Sequence, residues 1–331
     1  MGRLKKRFIC LLLALAVSAG SSVFLPHDTA EAASRPRKTS LTALTATTNG
    51  FFAYWNLQTS GTDGYELWFK EKGIPEIGTV FVRGNQHAYW RIRGLRPGKK
   101  YFVKIRTYRN GTKKKVFSHW SRKLSVTVRW SKPQKNARRI YRFFRRRGVD
   151  DIHIAAILGN IYPESHFDPT SVETIYNEPY KYGKRKQAAE KVDFKMKKMN
   201  KDYAERYPSI VRAGIGIMGW TDTKGMAKGQ GGNTLLRKYA AQMGRNWYSL
   251  TAQMNFMWNG LEGAEGYKNW HARSRFEKAK TLNKATHVYL CWALSGWKCR
   301  KDDHYHEVIG LEMRRKQARR FYDFIVRGYY D

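Results

Sequence analysis

One carboxylate stands out by what surrounds it. In Ala155-Ala156-Ile157-Leu158-Gly159-Asn160-Ile161-Tyr162-Pro163-Glu164-Ser165-His166-Phe167-Asp168-Pro169, an apolar run leads into Glu164, and Asp168-Pro169 then turns the chain. A carboxyl at the end of a buried helix loses solvation of its charged form, so its pKa rises. A group that must hand a proton to a leaving oxygen near neutral pH needs that property. The same residue type also serves helices as a cap or an ion-pair partner, so Glu164 does not decide the chemistry by itself. A second stretch, Ala213-Gly214-Ile215-Gly216-Ile217-Met218-Gly219-Trp220-Thr221-Asp222, joins three glycines to a tryptophan and an acid. Glycines let backbone approach a ligand, and an indole face can lie along a sugar ring. The competing reading is a tight loop with Trp220 plugging the core.

Two further groups of side chains have chemical capacity. Cys291 and Cys299 are close enough in sequence to close a small disulfide loop in an oxidising compartment. Asp302-Asp303-His304-Tyr305-His306-Glu307 has metal-capable side chains, but no second cysteine pair accompanies Cys291 and Cys299, and the run reads as a solvated loop. Neither a metal nor an organic cofactor is expected.

The elements that must position these residues change period along the chain. From Leu41 to Trp130 short strand-like runs alternate with turn signals at Asn49-Gly50, Asp63-Gly64, Lys72-Gly73, Pro97-Gly98 and Asn110-Gly111. The expected strands are 41–48, 51–57, 64–70, 79–82, 88–94, 100–109 and 123–129, enough for a β-sandwich. After Ser131-Lys132-Pro133 the period becomes helical, with apolar stripes at Ala137, Ile140, Tyr141, Phe143 and Phe144, then at Ile152 to Leu158 behind Asp150 or Asp151 as cap. Helices are also expected at 234–243, 250–261, 276–293 and 306–326, with no strand of comparable strength. The expected organisation is a leader over 1–32, a sandwich over 36–130 and a mainly α domain over 131–331.

The amino terminus and the charge suggest where the chain works. Arg3, Lys5, Lys6 and Arg7 precede the apolar run Phe8 to Val17, and Ala30-Glu31-Ala32 supplies a cleavage pattern. This is the pattern of a secretory signal peptide, whose apolar run is too short to span a bilayer. Lysine and arginine number 63 against 26 acids, a net +37 in 331 residues, which favours anionic surfaces. Between Ser34 and Trp130 there are 20 basic and 4 acidic residues. The leader and the absence of a recognition-helix or RNA-binding motif count against nucleic acid as the partner.

Two resemblances sharpen this reading. Trp55, Gly64-Tyr65-Glu66-Leu67-Trp68 and Gly94-Leu95-Arg96-Pro97-Gly98-Lys99-Lys100-Tyr101 resemble a fibronectin type III module, with Tyr101 as the tyrosine of its corner. The later segment resembles the phage tail lysozyme family: a Gly-Asn helix ending in Glu-Ser-x-Phe-x-Pro, a Gly-x-Gly loop reaching Trp-Thr, Leu236 to Ala240, and Gly244-x-x-Trp247 leading to Gln253-x-x-Phe256. That likeness implies Glu164 as the catalytic acid. It implies a glycan cleft involving Gly216 and Trp220, with Ser165 and Gln253 of the same motifs as further binding residues. The family commonly has Gln before the loop tryptophan; here Gly219 stands there, leaving one cleft hydrogen bond missing or supplied by Gln230. The motif does not fix a second carboxylate. Asp222, which follows Trp220, is the first candidate, with Glu173 and Asp168 behind it.

The resemblance implies a hydrolase acting on peptidoglycan glycan strands; with the leader, the charge and the lack of a later long apolar run, the expectation is a secreted, wall-associated protein, its basic exterior drawn to anionic polymers such as teichoic acid, with no membrane span in the mature chain. A lytic transglycosylase acting on the same bond and a noncatalytic wall-binding adhesin are the competing readings.

Overall fold

The computed structural model describes residues 34–173, 184–262, 272–293 and 310–331. Its first part is a sandwich of two antiparallel sheets. The strands are β1 (Leu41–Ala46), β2 (Gly50–Trp55), β3 (Gly64–Glu71), β4 (Ile77–Arg83), β5 (Tyr89–Arg93), β6 (Lys100–Asn110), β7 (Lys115–Phe117) and β8 (Leu124–Thr127). One sheet has the order β1-β2-β5; the other runs β4-β3-β6-β7, with β8 also paired to β6. Alternation does the sorting. Phe51, Ala53, Trp55 and Ile92 of the first sheet meet Tyr65, Leu67, Val103 and Ile105 of the second in one buried core. The seven strands legible in the sequence are present, and β7 is an addition. It forms where the Lys113-Lys114-Lys115 run ends and Val116 pairs back onto Arg109, an arrangement masked in the sequence by the lysines.

Tyr101 closes the corner of this sandwich. Its hydroxyl accepts from the Arg96 backbone N–H at 3.1 Å and donates to Glu71 Oε2 at 2.8 Å; burial raises its pKa to about 12. Arg96 in turn donates Nε–H to Glu71 Oε2 at 2.9 Å and Nη1–H to the carbonyl of Arg327, in the helical part, at 2.8 Å. The junction uses the turns at one end of the sandwich: Gln134 Nε2 reaches the Thr48 carbonyl at 3.5 Å, and Trp130 lies against Gly98.

Ser131 opens the helical part with a capping box, accepting from the Gln134 N–H while the Gln134 side chain accepts from the Ser131 N–H. Helices α1 (Lys132–Arg145), α2 (Asp151–Ser165), α3 (Lys184–Lys191), α4 (Met196–Met199) and α5 (Lys201–Arg206) precede a hairpin of β9 (Ile210–Ile215) and β10 (Trp220–Thr223). Then come α6 (Gly232–Gln242), α7 (Leu250–Glu262), α8 (Ala272–Glu277), α9 (Leu282–Ala293) and α10 (Leu311–Val326). The part is mainly α as expected; the hairpin is an addition, too short and too glycine-rich for a strand signal, and it carries the Gly-Trp motif on its turn. The helix expected over 276–293 is two, separated at Lys278 to Thr281. Among the described residues, no helix is long and apolar enough to cross a membrane. The leader, Cys299 and the Asp302 to Glu307 run lie outside the described residues.

Helix α2 is the centre of this part, buried from His153 to Ile161. Asp150 caps it, accepting from the His153 N–H at 3.0 Å. Gly159 lets α10 pack close: a Cβ there would stand 2.6 Å from the Cβ of Ala318. The buried stripe of α10 is Leu311, Arg314, Ala318, Phe321 and Ile325, so an arginine occupies one position of an otherwise apolar face turned toward α2.

Candidate active site

Glu164 sits in the last turn of α2 with its side chain about a fifth exposed, at 22%. The chain leaves the helix through two successive left-handed residues, His166 at φ 49° and Phe167 at φ 63°. Non-glycine residues adopt this region rarely, and each must be held there. Phe167 is held by burial against Phe321, their centroids 5.3 Å apart, and by Asn136 Nδ2–H donating to its carbonyl at 2.8 Å. Ser165 is fully buried and donates its hydroxyl to the Ile217 carbonyl at 2.9 Å. The end of α2 and the glycine loop are thereby joined at the residue following Glu164.

The two carboxylate oxygens of Glu164 have different surroundings. Oε1 accepts from Arg314 Nη2–H, while Arg314 Nη1–H donates to the Asn160 carbonyl at 2.8 Å. Oε2 faces the loop; a Cβ placed on Gly219 would lie 3.1 Å from it. Burial raises the Glu164 pKa above the usual range, Arg314 opposes the rise, and the negative charge of Glu173 adds to it. The net direction is that of a proton donor.

Glu173 stands across the loop on a short extension of the hairpin, beside the bridge of Val172 to Ile215. Its Oε2 accepts from the Gly214 N–H at 2.7 Å and its Oε1 from the Tyr203 hydroxyl at 2.9 Å. Gly214 leaves room for this, since a Cβ there would approach Glu173 Oε2 to 3.1 Å and the Gly219 carbonyl to 2.8 Å. Glu164, Glu173 and the backbone from Gly214 to Gly219 therefore surround one place.

The other residues singled out in the sequence support that place from behind. Gly216 has φ 76°, and a Cβ on it would stand 2.9 Å from both Gln253 and Trp220. Gln253 is fully buried; its Oε1 accepts from the Ile217 N–H at 2.9 Å, and its Nε2 donates to the carbonyls of Pro169 at 2.8 Å and Trp247 at 2.7 Å. Trp220 is 8% exposed and meets Phe256 edge to face at 5.3 Å. Its indole packs in the core. Asp222 is also buried. It accepts from Arg212 Nη1–H at 3.0 Å and from the Thr234 N–H and hydroxyl at 3.1 and 2.5 Å. Gly231, the residue at the start of α6, has no side chain to cap that helix. Asp222 does so from the neighbouring strand. Asp168 likewise closes its own turn, accepting from the Thr170 N–H at 2.9 Å, and Gln230 lies exposed ahead of α6. Arg314 and Tyr203 were not anticipated. Arg314 had a signal, a cation at a stripe position of a helix; Tyr203 had none.

A family model described as phage tail lysozyme matches residues 135–325. No curated protein matches the chain. Among solved structures, one described as "Myokine structure" is similar at a TM-score of 0.25 and 10% identity, covering 29% of this chain and 99% of that one. The crystal structure of chicken CNTN1 FN1–FN3 domains is similar at a TM-score of 0.24 and 18% identity, covering 28% of this chain and 30% of that one.

Proposed function

The chain belongs to the phage tail lysozyme family, a family of lysozyme-like peptidoglycan hydrolases, and from that premise we propose that it cuts the glycan strand with Glu164 as the general acid. The carrying observation is the asymmetric setting of its carboxyl: Oε1 held by Arg314, Oε2 turned to the Gly219 loop, and burial raising its pKa. The proton on Oε2 passes to the glycosidic oxygen as the bond from that oxygen to the anomeric carbon breaks. Glu173 stabilises the positive charge that develops on the sugar and then takes a proton from the attacking water, leaving a new reducing end. Asp222, tied to Arg212 and the start of α6, serves as a structural acid in this scheme. Gly216, Trp220, Ser165 and Gln253 shape the loop from beneath.

Mass spectrometry of muropeptides released from purified wall tests the reaction. Reducing ends are expected; anhydro ends would mark the lytic transglycosylase, in which the substrate's own hydroxyl replaces water, and no release at all would mark the adhesin. Export by the 1–32 leader, wall association through the basic surface and a Cys291–Cys299 bond belong to the same proposal. The mature secreted chain is expected to show no titratable thiol under native conditions, and two labelled cysteines would overturn the bond.

A further inference from the structure

The two outer faces of the sandwich differ in a way that points to a ligand. On the β4-β3-β6-β7 sheet the aromatic rings are already covered by cations of the same face. Lys104 Nζ lies 4.4 Å from the Trp68 centroid and 5.1 Å from that of Trp120, and the Arg106 guanidinium lies 4.3 Å from Trp120 and 3.8 Å from Phe117. That ladder satisfies its own rings.

The β1-β2-β5 sheet carries a different set. Phe52 and Tyr54 point outward between the buried Phe51, Ala53 and Trp55. The register sets Tyr89 opposite Tyr54 and Arg91 opposite Phe52. The three rings form a triangle with centroids 5.8 to 6.3 Å apart. Tyr89 is 56% exposed, and Arg91 lies over Phe52 at 5.3 Å beside the exposed Arg93. On β1, opposite these rings, stand only the small exposed side chains of Ala43 and Thr45. The helical part meets the sandwich through the turns at Thr48 and Gly98 and through Arg96, at one end of the sheets, and among the described residues this face stays exposed at Ala43, Thr45, Tyr89, Arg91 and Arg93.

We propose that the outer face of the β1-β2-β5 sheet binds the glycan strand of peptidoglycan, pyranose rings lying on Tyr54 and Tyr89 and stem-peptide carboxylates meeting Arg91 and Arg93. The inference rests on peptidoglycan being the substrate. Clustered aromatic rings on an open sheet face offer the apolar flank a sugar ring needs, and tyrosine adds a hydroxyl for its polar rim. The arginines supply the complementary charge. Without aromatic rings, an anionic polymer of glycerol phosphate would need the cations alone, which the whole chain offers.

The test is sedimentation of the full chain carrying Glu164→Gln with purified peptidoglycan stripped of teichoic acid, at about 0.5 M salt, where charge attraction is screened to a few ångströms. Binding is expected to persist, to weaken about tenfold or more in Tyr54→Ser/Tyr89→Ser, and to return in Tyr54→Phe/Tyr89→Phe. The single Tyr89→Ser, at an exposed edge position, is expected to weaken binding with an unchanged melting midpoint. Equal binding by the serine variants, no binding by the parent chain, or a difference seen only on unstripped walls would each overturn the proposal. Muropeptide release by the unsubstituted chain reads the cleavage reaction separately, so failure of the two is distinguishable.

Discussion

Arg314 holds Glu164 by one oxygen and the backbone beneath it by another: one guanidinium nitrogen donates to Glu164 Oε1 and a second to the Asn160 carbonyl, one helical turn back. The carboxyl therefore has one committed face and one facing the Gly219 loop. A planar donor fork sets direction as well as charge.

Glu164→Gln is expected to keep the fold and lower muropeptide release by about 10²- to 10⁴-fold, because an amide occupies the same space and has no acidic proton. Turnover near that of the unsubstituted chain would remove Glu164 from the reaction.

Arg314→Met is expected to move the alkaline limb of the activity profile to higher pH. Arg314 opposes the rise in the Glu164 pKa, so without it the protonated, active form survives to higher pH, while the maximal rate falls for want of a fixed carboxyl. Stability follows with the sign of a raised acid pKa: folding favours the protonated form, so the variant should lose more stability at pH 8 than at pH 4. The loss at pH 8 should be roughly 1–3 kcal/mol, below that of a fully buried pair because Glu164 is partly exposed. A lower rate with an unmoved limb would make Arg314 a packing residue only.

Glu173→Gln and Asp222→Asn are expected to separate cleanly. The first should slow cleavage by removing the negative charge near Glu164, and should cost less stability than the second, since the amide oxygen keeps one of the two hydrogen bonds from the Gly214 N–H and the Tyr203 hydroxyl. The second should lower stability by about 1–3 kcal/mol through the lost pairing with Arg212 and Thr234, with turnover per folded molecule nearly kept. Reversed outcomes would restore Asp222 as the second carboxylate.

Gly219→Ala is expected to slow cleavage out of proportion to its size. The residue has φ 62°, and its Cβ would stand 3.1 Å from Glu164 Oε2, so the change strains the loop and crowds the donating oxygen at once. Kinetics on soluble glycan fragments beside a melting curve divide the two effects; an unaltered rate would mean that the proton leaves from elsewhere.

Much of this was legible in the residues. Strand alternation around Tyr101, the junction at Ser131-Lys132-Pro133, the cap at Asp150 or Asp151, and the run into Glu164 are local patterns, and local patterns survive in a sequence. Glu173 was visible only as a reserve candidate behind Asp222, because closeness to Trp220 along the chain favoured Asp222. In the fold β10 turns Asp222 toward Arg212, while the Val172 to Ile215 bridge brings Glu173 to the glycines, and the proposed scheme follows that placement. Ser165, Gln253 and Trp220 pack beneath the loop, and a sequence motif does not distinguish support from contact. The hairpin was hidden because β10 has only four residues.

Arg314 follows Glu164 by 150 positions. During synthesis the acid and nearly all of the loop around it emerge well before the helix that closes the site, and α2 lacks its closest neighbour until residues 311–326 are made. Until that helix is made, Glu164 stands without the guanidinium that fixes its carboxyl, so a chain cut short before residue 311 carries its acid unaligned.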